Sequence, residues 1–177
     1  MKKIQVYIAV TLDGFIAREN GSLDWLLTFP NPNQIDHGYG VFLENIDTLI
    51  MGRKTYDEVL GFGIDWPYRN QKTYVVTKNQ DYTVKTDNTH TLHELKKETI
   101  DQLRSECDKN FWLVGGGDLI TQFLNLDAID EMILCMIPIV LGKGIRLFPD
   151  EPGETKFKFL KAESFETGIV NLTYSRE

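Results

Sequence analysis

Short apolar runs recur along the chain, each ended by polar or glycine punctuation. Val6 to Val10 reads as a buried strand closed by the turn around Asp13-Gly14, and Leu49-Ile50-Met51, Tyr74-Val75-Val76 and Phe111-Trp112-Leu113-Val114 are runs of the same kind. Between them, four segments carry apolar residues at helical spacing: Ile35 to Ile46, Thr55 to Leu60, Leu92 to Arg104 and Leu119 to Leu126. Strands alternating with helices predict a mainly parallel sheet with crossover helices on both faces. The last third changes character. Glu131 to Val140 is almost continuously apolar, while Phe157 to Phe165 and Ile169 to Tyr174 alternate on either side of Thr167-Gly168. That pair predicts a hairpin adding antiparallel strands at the sheet edge. With no linker, repeat or low-complexity tract, residues 1–177 read as one α/β domain.

Composition narrows the function classes. The 177 residues are 42% hydrophobic and 25% charged, with a formal net charge of −7. Nucleic acids and anionic membranes call for a basic face, so both are set aside as partners. A phosphorylated ligand would need the few basic residues gathered at one place. Cys107 and Cys135 are far apart and outside any C-x-x-C pattern, which reads as two reduced, buried thiols with no metal site. Met1-Lys2-Lys3-Ile4-Gln5 turns polar too soon for a signal-peptide core, and no stretch approaches the ~20 apolar residues of a membrane span. A cytoplasmic location is the expectation.

Three strand ends carry candidate chemistry, because ligands of open α/β sheets bind outside the carboxyl ends of the strands. In Ile50-Met51-Gly52-Arg53-Lys54-Thr55 a strand stops at glycine and a helix starts with two cations and a hydroxyl in its first turn. A helix N-terminus offers unpaired N–H groups and a partial positive charge, which suits a phosphate. Taken alone, this is equally well a solvated helix start that happens to be basic. In Phe111-Trp112-Leu113-Val114-Gly115-Gly116-Gly117-Asp118, three glycines let backbone approach a ligand closely and admit positive φ. This is neither the G-x-G-x-x-G fingerprint nor a P-loop. Thr77-Lys78 after Tyr74-Val75-Val76 is, alone, a strand ending in a polar loop.

Taken in order, strand–G-R-K-T, strand–T-K and strand–G-G-G, the chain resembles the dihydrofolate-reductase-like superfamily. The resemblance implies a three-layer α/β fold, with a mainly parallel central sheet, antiparallel C-terminal strands and flanking helices. It also implies NADPH as cofactor. Gly52, Arg53, Lys54, Thr55, Thr77 and Lys78 would form the phosphate-selecting set, and Gly115, Gly116 and Gly117, followed by Asp118, Leu119 and Ile120, the cradle for the pyrophosphate and nicotinamide. Asp118 departs from the basic residue often found after the glycines. The run Ile8-Ala9-Val10-Thr11-Leu12-Asp13-Gly14-Phe15-Ile16-Ala17 is similar too, and places Ala9 and Ile16 beside the nicotinamide.

On the substrate side, Leu12-Asp13-Gly14 and Pro138-Ile139-Val140-Leu141-Gly142-Lys143-Gly144-Ile145-Arg146-Leu147-Phe148 resemble the reductase domain of riboflavin biosynthesis proteins. That branch implies a reductase of the 5-amino-6-(5-phosphoribosylamino)uracil type, stand-alone because no deaminase zinc motif precedes it, and commonly a homodimer through its C-terminal apolar strands. Dihydrofolate reductase proper is the enzymatic rival, and a non-catalytic NADPH-binding module the non-enzymatic one. The resemblance to dihydrofolate reductase puts a buried, catalytic carboxylate at Asp36, with Asp24 as the alternative; an exposed aspartate in a helical first turn reads equally well there. Asp13, Trp25, Lys143 and Arg146 complete the implied substrate set, the two cations facing a substrate phosphate. For Lys143 and Arg146 a solvated loop charge is the competing reading.

Overall fold

The computed structural model describes residues 2–149 and 152–177. Its central feature is an eight-stranded sheet in the order β5-β4-β3-β6-β1-β7-β10-β9. The strands are β1 (Ile4–Thr11), β3 (Ile46–Gly52), β4 (Lys72–Val76), β5 (Thr89–Leu92), β6 (Asn110–Gly115), β7 (Glu131–Ile137), β9 (Phe157–Ser164) and β10 (Val170–Arg176); β2 (Phe15–Ala17) and β8 (Ile145–Arg146) form a separate two-stranded ribbon. From β5 to β7 all neighbours run parallel, and β10 then pairs antiparallel with both β7 and β9. The predicted C-terminal hairpin turns at Gly168, whose φ of 85° suits glycine.

Side-chain alternation divides the sheet into two faces. Ile4, Val6 and Val10 of β1, with Phe111 and Leu113 of β6, meet Ile100 and Leu103 of α4 (Lys97–Glu106) and Leu119, Ile120, Phe123 and Leu124 of α5 (Gly117–Asn125). Leu49, Met51, Val75 and Trp112 point the other way, under Phe42 of α2 (Tyr39–Glu44) and Tyr56 and Val59 of α3 (Arg53–Gly61). A third cluster gathers Trp25 of α1 (Asp24–Leu27) with Cys135, Ile137 and Ile169. Helix, sheet, helix is the expected three-layer arrangement. Phe123 is fully buried, so truncating it to alanine costs about 3–5 kcal/mol.

The differences from the sequence reading lie at element ends. The helix expected over Ile35 to Ile46 is only Tyr39–Glu44, because His37 (φ 54°) and Gly38 (φ 84°) take left-handed conformations and Ile46 already belongs to β3. Leu92 ends β5 rather than opening α4. Cys107 and Cys135 are both free and buried. Among the described residues no helix is long and apolar enough to cross a membrane.

Candidate functional site

The sheet opens between β1 and β6. β1 pairs with β6 only at Ile4–Phe111, Gln5–Trp112 and Val6–Leu113, yet stays paired with β7 as far as Thr11–Ile137. β3 likewise stays with β6 as far as Met51–Gly115. Beyond Val6 the carboxyl halves of β1 and β6 therefore diverge, leaving Ile8 and Ala9 on one lip and Gly115 on the other. Divergence of adjacent parallel strands at their carboxyl ends is where such sheets take ligands.

The two glycine motifs meet on the β6 side of this gap. A Cβ built on Gly52 would lie 3.9 Å from the Gly115 oxygen and 4.0 Å from the Gly116 nitrogen, and one on Gly116 would lie 3.6 Å from Thr55 Oγ1. Gly52 and Gly116 are the N-cap residues of α3 and α5, and neither helix has a side-chain cap. Two helix N-termini thus stand side by side over a floor without side chains, a donor set suited to a pyrophosphate. The Gly115–Gly116 peptide is cis, and Gly115 has φ of 130°, which only glycine adopts readily. These residues fit the dinucleotide that the sequence resemblance implies.

The three glycines have different duties. A Cβ on Gly117 would come within 2.5 Å of the Arg146 oxygen and 2.8 Å of Pro149 Cδ, so its bareness serves packing against the 146–149 segment. Leu119 and Ile120 are core residues whose N–H groups both donate to the Gly116 oxygen, leaving only the first N–H groups of α5 toward the gap. Asp118 is exposed in that first turn. Ile16 is buried with the α5-side core, and Ala9 stands half-buried at the lip.

Of the cations, Arg53 is held at 2.6 Å by Asp57 and lies 5.8 Å from the centre of the Tyr82 ring, whose hydroxyl donates to the same Asp57 carboxylate. Burial pushes the Tyr82 phenol up, so it remains the donor. Lys54 and Lys78 are exposed and form no ion pair among the described residues. Thr77 is buried, its hydroxyl accepting from Asn79 N–H.

The implied substrate set does not converge. Asp36 is exposed, and its two oxygens accept the backbone N–H groups of Gly38 at 2.9 Å and Gly40 at 3.0 Å, which holds its carboxyl below the usual range. The expected buried carboxylate is thus an exposed cap at the entrance of α2. Asp24, the alternative, is tied to Arg18 at 2.6 Å. Asp13 accepts from Thr11 Oγ1, Leu141 N–H and Gly142 N–H, tethering one loop to another. Lys143 pairs with Glu19, both exposed. Arg146 stacks over Phe15 and lines a cleft of about 300 Å³ with Val10, Leu134, Met136 and Phe148. Those even-numbered strand residues face away from Ala9, Cys135 and Ile137, the side on which Trp25 packs. Arg146 and Trp25 therefore serve opposite faces of the sheet.

What replaces a carboxylate on the Trp25 side is aromatic and polar. Tyr7 stacks on Phe42 with centroids 4.7 Å apart, Tyr39 and Phe42 meet the Trp112 edge, and Tyr7 hydroxyl and Asn171 Nδ2 both donate to the His37 oxygen at 3.0 and 2.6 Å. Desolvation pushes the Tyr7 phenol well up and the Cys135 thiol to about 11, so both stay protonated at neutral pH. Tyr7 and Asn171 escaped the sequence reading because a strand residue facing a covered sheet surface looks the same in sequence whatever covers it.

The chain is 35% identical to a structure titled "Putative riboflavin biosynthesis protein" from Shewanella sp. PV-4, with a TM-score of 0.89 over 99% of both chains. It has the fold of dihydrofolate reductase from Enterococcus faecalis, complexed with NADP(H), at a TM-score of 0.71 and 21% identity over 99% of this chain and 96% of that one. In sequence it is 38% identical to the uncharacterized protein YwjB of Bacillus subtilis, covering 99% of this chain and 98% of the relative. The model of the RibD C-terminal domain matches residues 2–171, and the chain belongs to that family.

Proposed function

We propose that the protein is an NADPH-dependent reductase that transfers a hydride to a pyrimidine- or pterin-like heterocycle, of the riboflavin-pathway kind rather than a folate reducer. The observation that carries this reading is the strand divergence beside the paired glycine turns of Gly52 and Gly115–Gly116. When bound, NADPH supplies the hydride. The chain's own part is positioning: the N-termini of α3 and α5 hold the pyrophosphate, and Arg53, Lys54 and Lys78 supply the positive charge for a 2′-phosphate. Arg53 is preorganised by Asp57 for this, at the cost of some of its charge. Ala9 and Gly115 frame the ring, and the Trp25, Phe42 and Trp112 surroundings exclude water from it. Against the folate reading stands Asp36, which caps α2 where a folate reducer would place a buried carboxylate on the ring.

The same reading includes a homodimer. Val170, Leu172, Tyr174, Phe157, Phe159 and Ala162 share one face of β10 and β9; Phe157 packs against the α5-side core, while Phe159 is 54% exposed. An apolar face on an edge hairpin is a surface that a second copy would cover. Steady-state NADPH oxidation with candidate heterocycles tests the activity, and gel filtration with light scattering tests the dimer. A folded protein that binds no NADPH would overturn the reading.

A further inference from the structure

Beneath α1 and the 28–38 loop, the sheet surface carries polar atoms that the fold itself does not satisfy. Trp25 and Asn171 are 3% and 4% exposed, and Trp25 Nε1 and Asn171 Oδ1 have no hydrogen-bond partner among the described residues. Asn171 is the cross-strand neighbour of Cys135, which in turn neighbours Ala9, and Trp25 packs in one cluster with Cys135, Ile137 and Ile169. Donor and acceptor therefore face the same side of the sheet, with Cys135 one strand and Asn171 two strands from the lip where β1 leaves β6. Asn171 is fixed there, because its Nδ2 already donates to the His37 oxygen, which orients Oδ1 as a lone acceptor. Buried polar groups are almost always paired, and an unpaired donor and acceptor on one side of the sheet call for a single explanation.

We propose that Trp25 and Asn171 are the specificity pair of the substrate pocket, and that they recognise a lactam edge. Asn171 Oδ1 accepts from a ring N–H, and Trp25 Nε1 donates to the adjacent ring carbonyl. The substrate class is thus a heterocycle with an –NH–C(=O)– edge, read by neutral groups and not by a carboxylate. This rests on the reductase reading for the chemistry, though not for the binding. The ligand enters as the cover lifts, and the cover is latched to the C-terminal hairpin by His37 Nε2 to Thr167 Oγ1 at 2.9 Å, the His37 ring against Phe165, and Asn33 to Glu166. Site-built polar pairs reject analogues that lack the matching group, because the protein atoms are then left buried and unpaired.

The test is calorimetric titration of the full chain, with and without saturating NADPH, using two probes: lumazine, a bicyclic dione with ring N–H groups, and its N,N′-dimethyl derivative, which has none. Lumazine is expected to bind at least about tenfold more tightly. Trp25→Phe, which removes the donor and keeps an aromatic ring, and Asn171→Leu, which removes the acceptor and keeps the branched shape, are each expected to abolish that discrimination. Circular dichroism checks that each variant is folded; should Asn171→Leu unfold through loss of the His37 contact, Trp25→Phe alone decides. Equal affinity for the two probes, absence of lumazine binding, or unchanged discrimination in a folded Trp25→Phe protein overturns the inference. NADPH titration is read separately, so lost cofactor binding with discrimination intact overturns the reductase reading and leaves this one standing.

Discussion

The carboxylate of Asp13 accepts the backbone N–H of Gly142 at 2.7 Å, joining the Leu12-Asp13-Gly14 turn to the Gly142-Lys143-Gly144 loop. Two motifs far apart in sequence are thereby one structural unit, reinforced by the β2–β8 ribbon that pairs Phe15 with Arg146. The hydrogen bond from Thr11 Oγ1, followed by the N–H groups of Gly142 and Leu141, holds the Asp13 carboxyl below its usual value of 3.8. A carboxylate with a depressed folded pKa stabilises fully above the unfolded value, and the contribution is lost as pH falls through the folded pKa. Asp13→Asn should therefore lower the melting temperature at neutral pH, with the gap to the native protein closing in acid. A thermal melt series from neutral to acidic pH measures both, and a gap that stays constant in acid would contradict the tether.

The glycines should separate by function. Gly117→Ala places a methyl 2.5 Å from the Arg146 oxygen and should destabilise by about 1–3 kcal/mol in a cofactor-free melt. Gly116 has φ of −70° and 3.6 Å of clearance to Thr55, so Gly116→Val should melt near the native temperature yet lose NADPH binding. Retained affinity in a folded Gly116→Val protein would make the turn purely structural.

Cofactor choice follows from the cations. Charge-assisted bonds to a 2′-phosphate contribute about 1.5–3 kcal/mol each. NADPH should then bind at least about tenfold more tightly than NADH. Arg53→Ala and Lys78→Ala should each erode that preference, Arg53→Ala the more because Asp57 holds its guanidinium in place. Paired titrations of the two dinucleotides at one fixed salt concentration decide it; equal affinities in the native protein would remove the 2′-phosphate site.

Asp36→Asn should lower the melting temperature, because the carboxylate caps the entrance of α2, while NADPH affinity and turnover change little. Asp36 is held below the usual range by the Gly38 and Gly40 N–H groups, so its stabilisation too is present above the unfolded value and fades as pH drops through the folded one. A collapse of kcat with an unchanged melt would return Asp36 to the substrate ring.

Much of this architecture was legible in the chain. The alternation of apolar runs and helical segments predicted the layers, and glycine after a buried strand marked both strand-to-helix turns at Gly52 and Gly116, because local backbone chemistry decides those positions. The shortened α2 was not legible: His37 takes positive φ against its preference, fixed by contacts to Tyr7, Asn171 and Thr167 that are remote in sequence. Strands β2, β5 and β8 were missed for a related reason. They are 3, 4 and 2 residues long and owe their pairing to tertiary neighbours rather than to pattern. The substrate side was the least legible, since the motifs do not show that Asp36 accepts the Gly38 and Gly40 N–H groups or that Asp13 accepts those of Leu141 and Gly142.

Steady-state consumption of NADPH in the presence of phosphoribosylaminouracil, its dephosphorylated ribosylamino analogue, or dihydrofolate separates the two branches. A riboflavin-type reductase should consume NADPH with the aminouracils and show feeble or absent turnover of dihydrofolate. Brisk reduction of dihydrofolate, or tight NADPH binding without consumption by any of the three, would contradict the riboflavin-type reading.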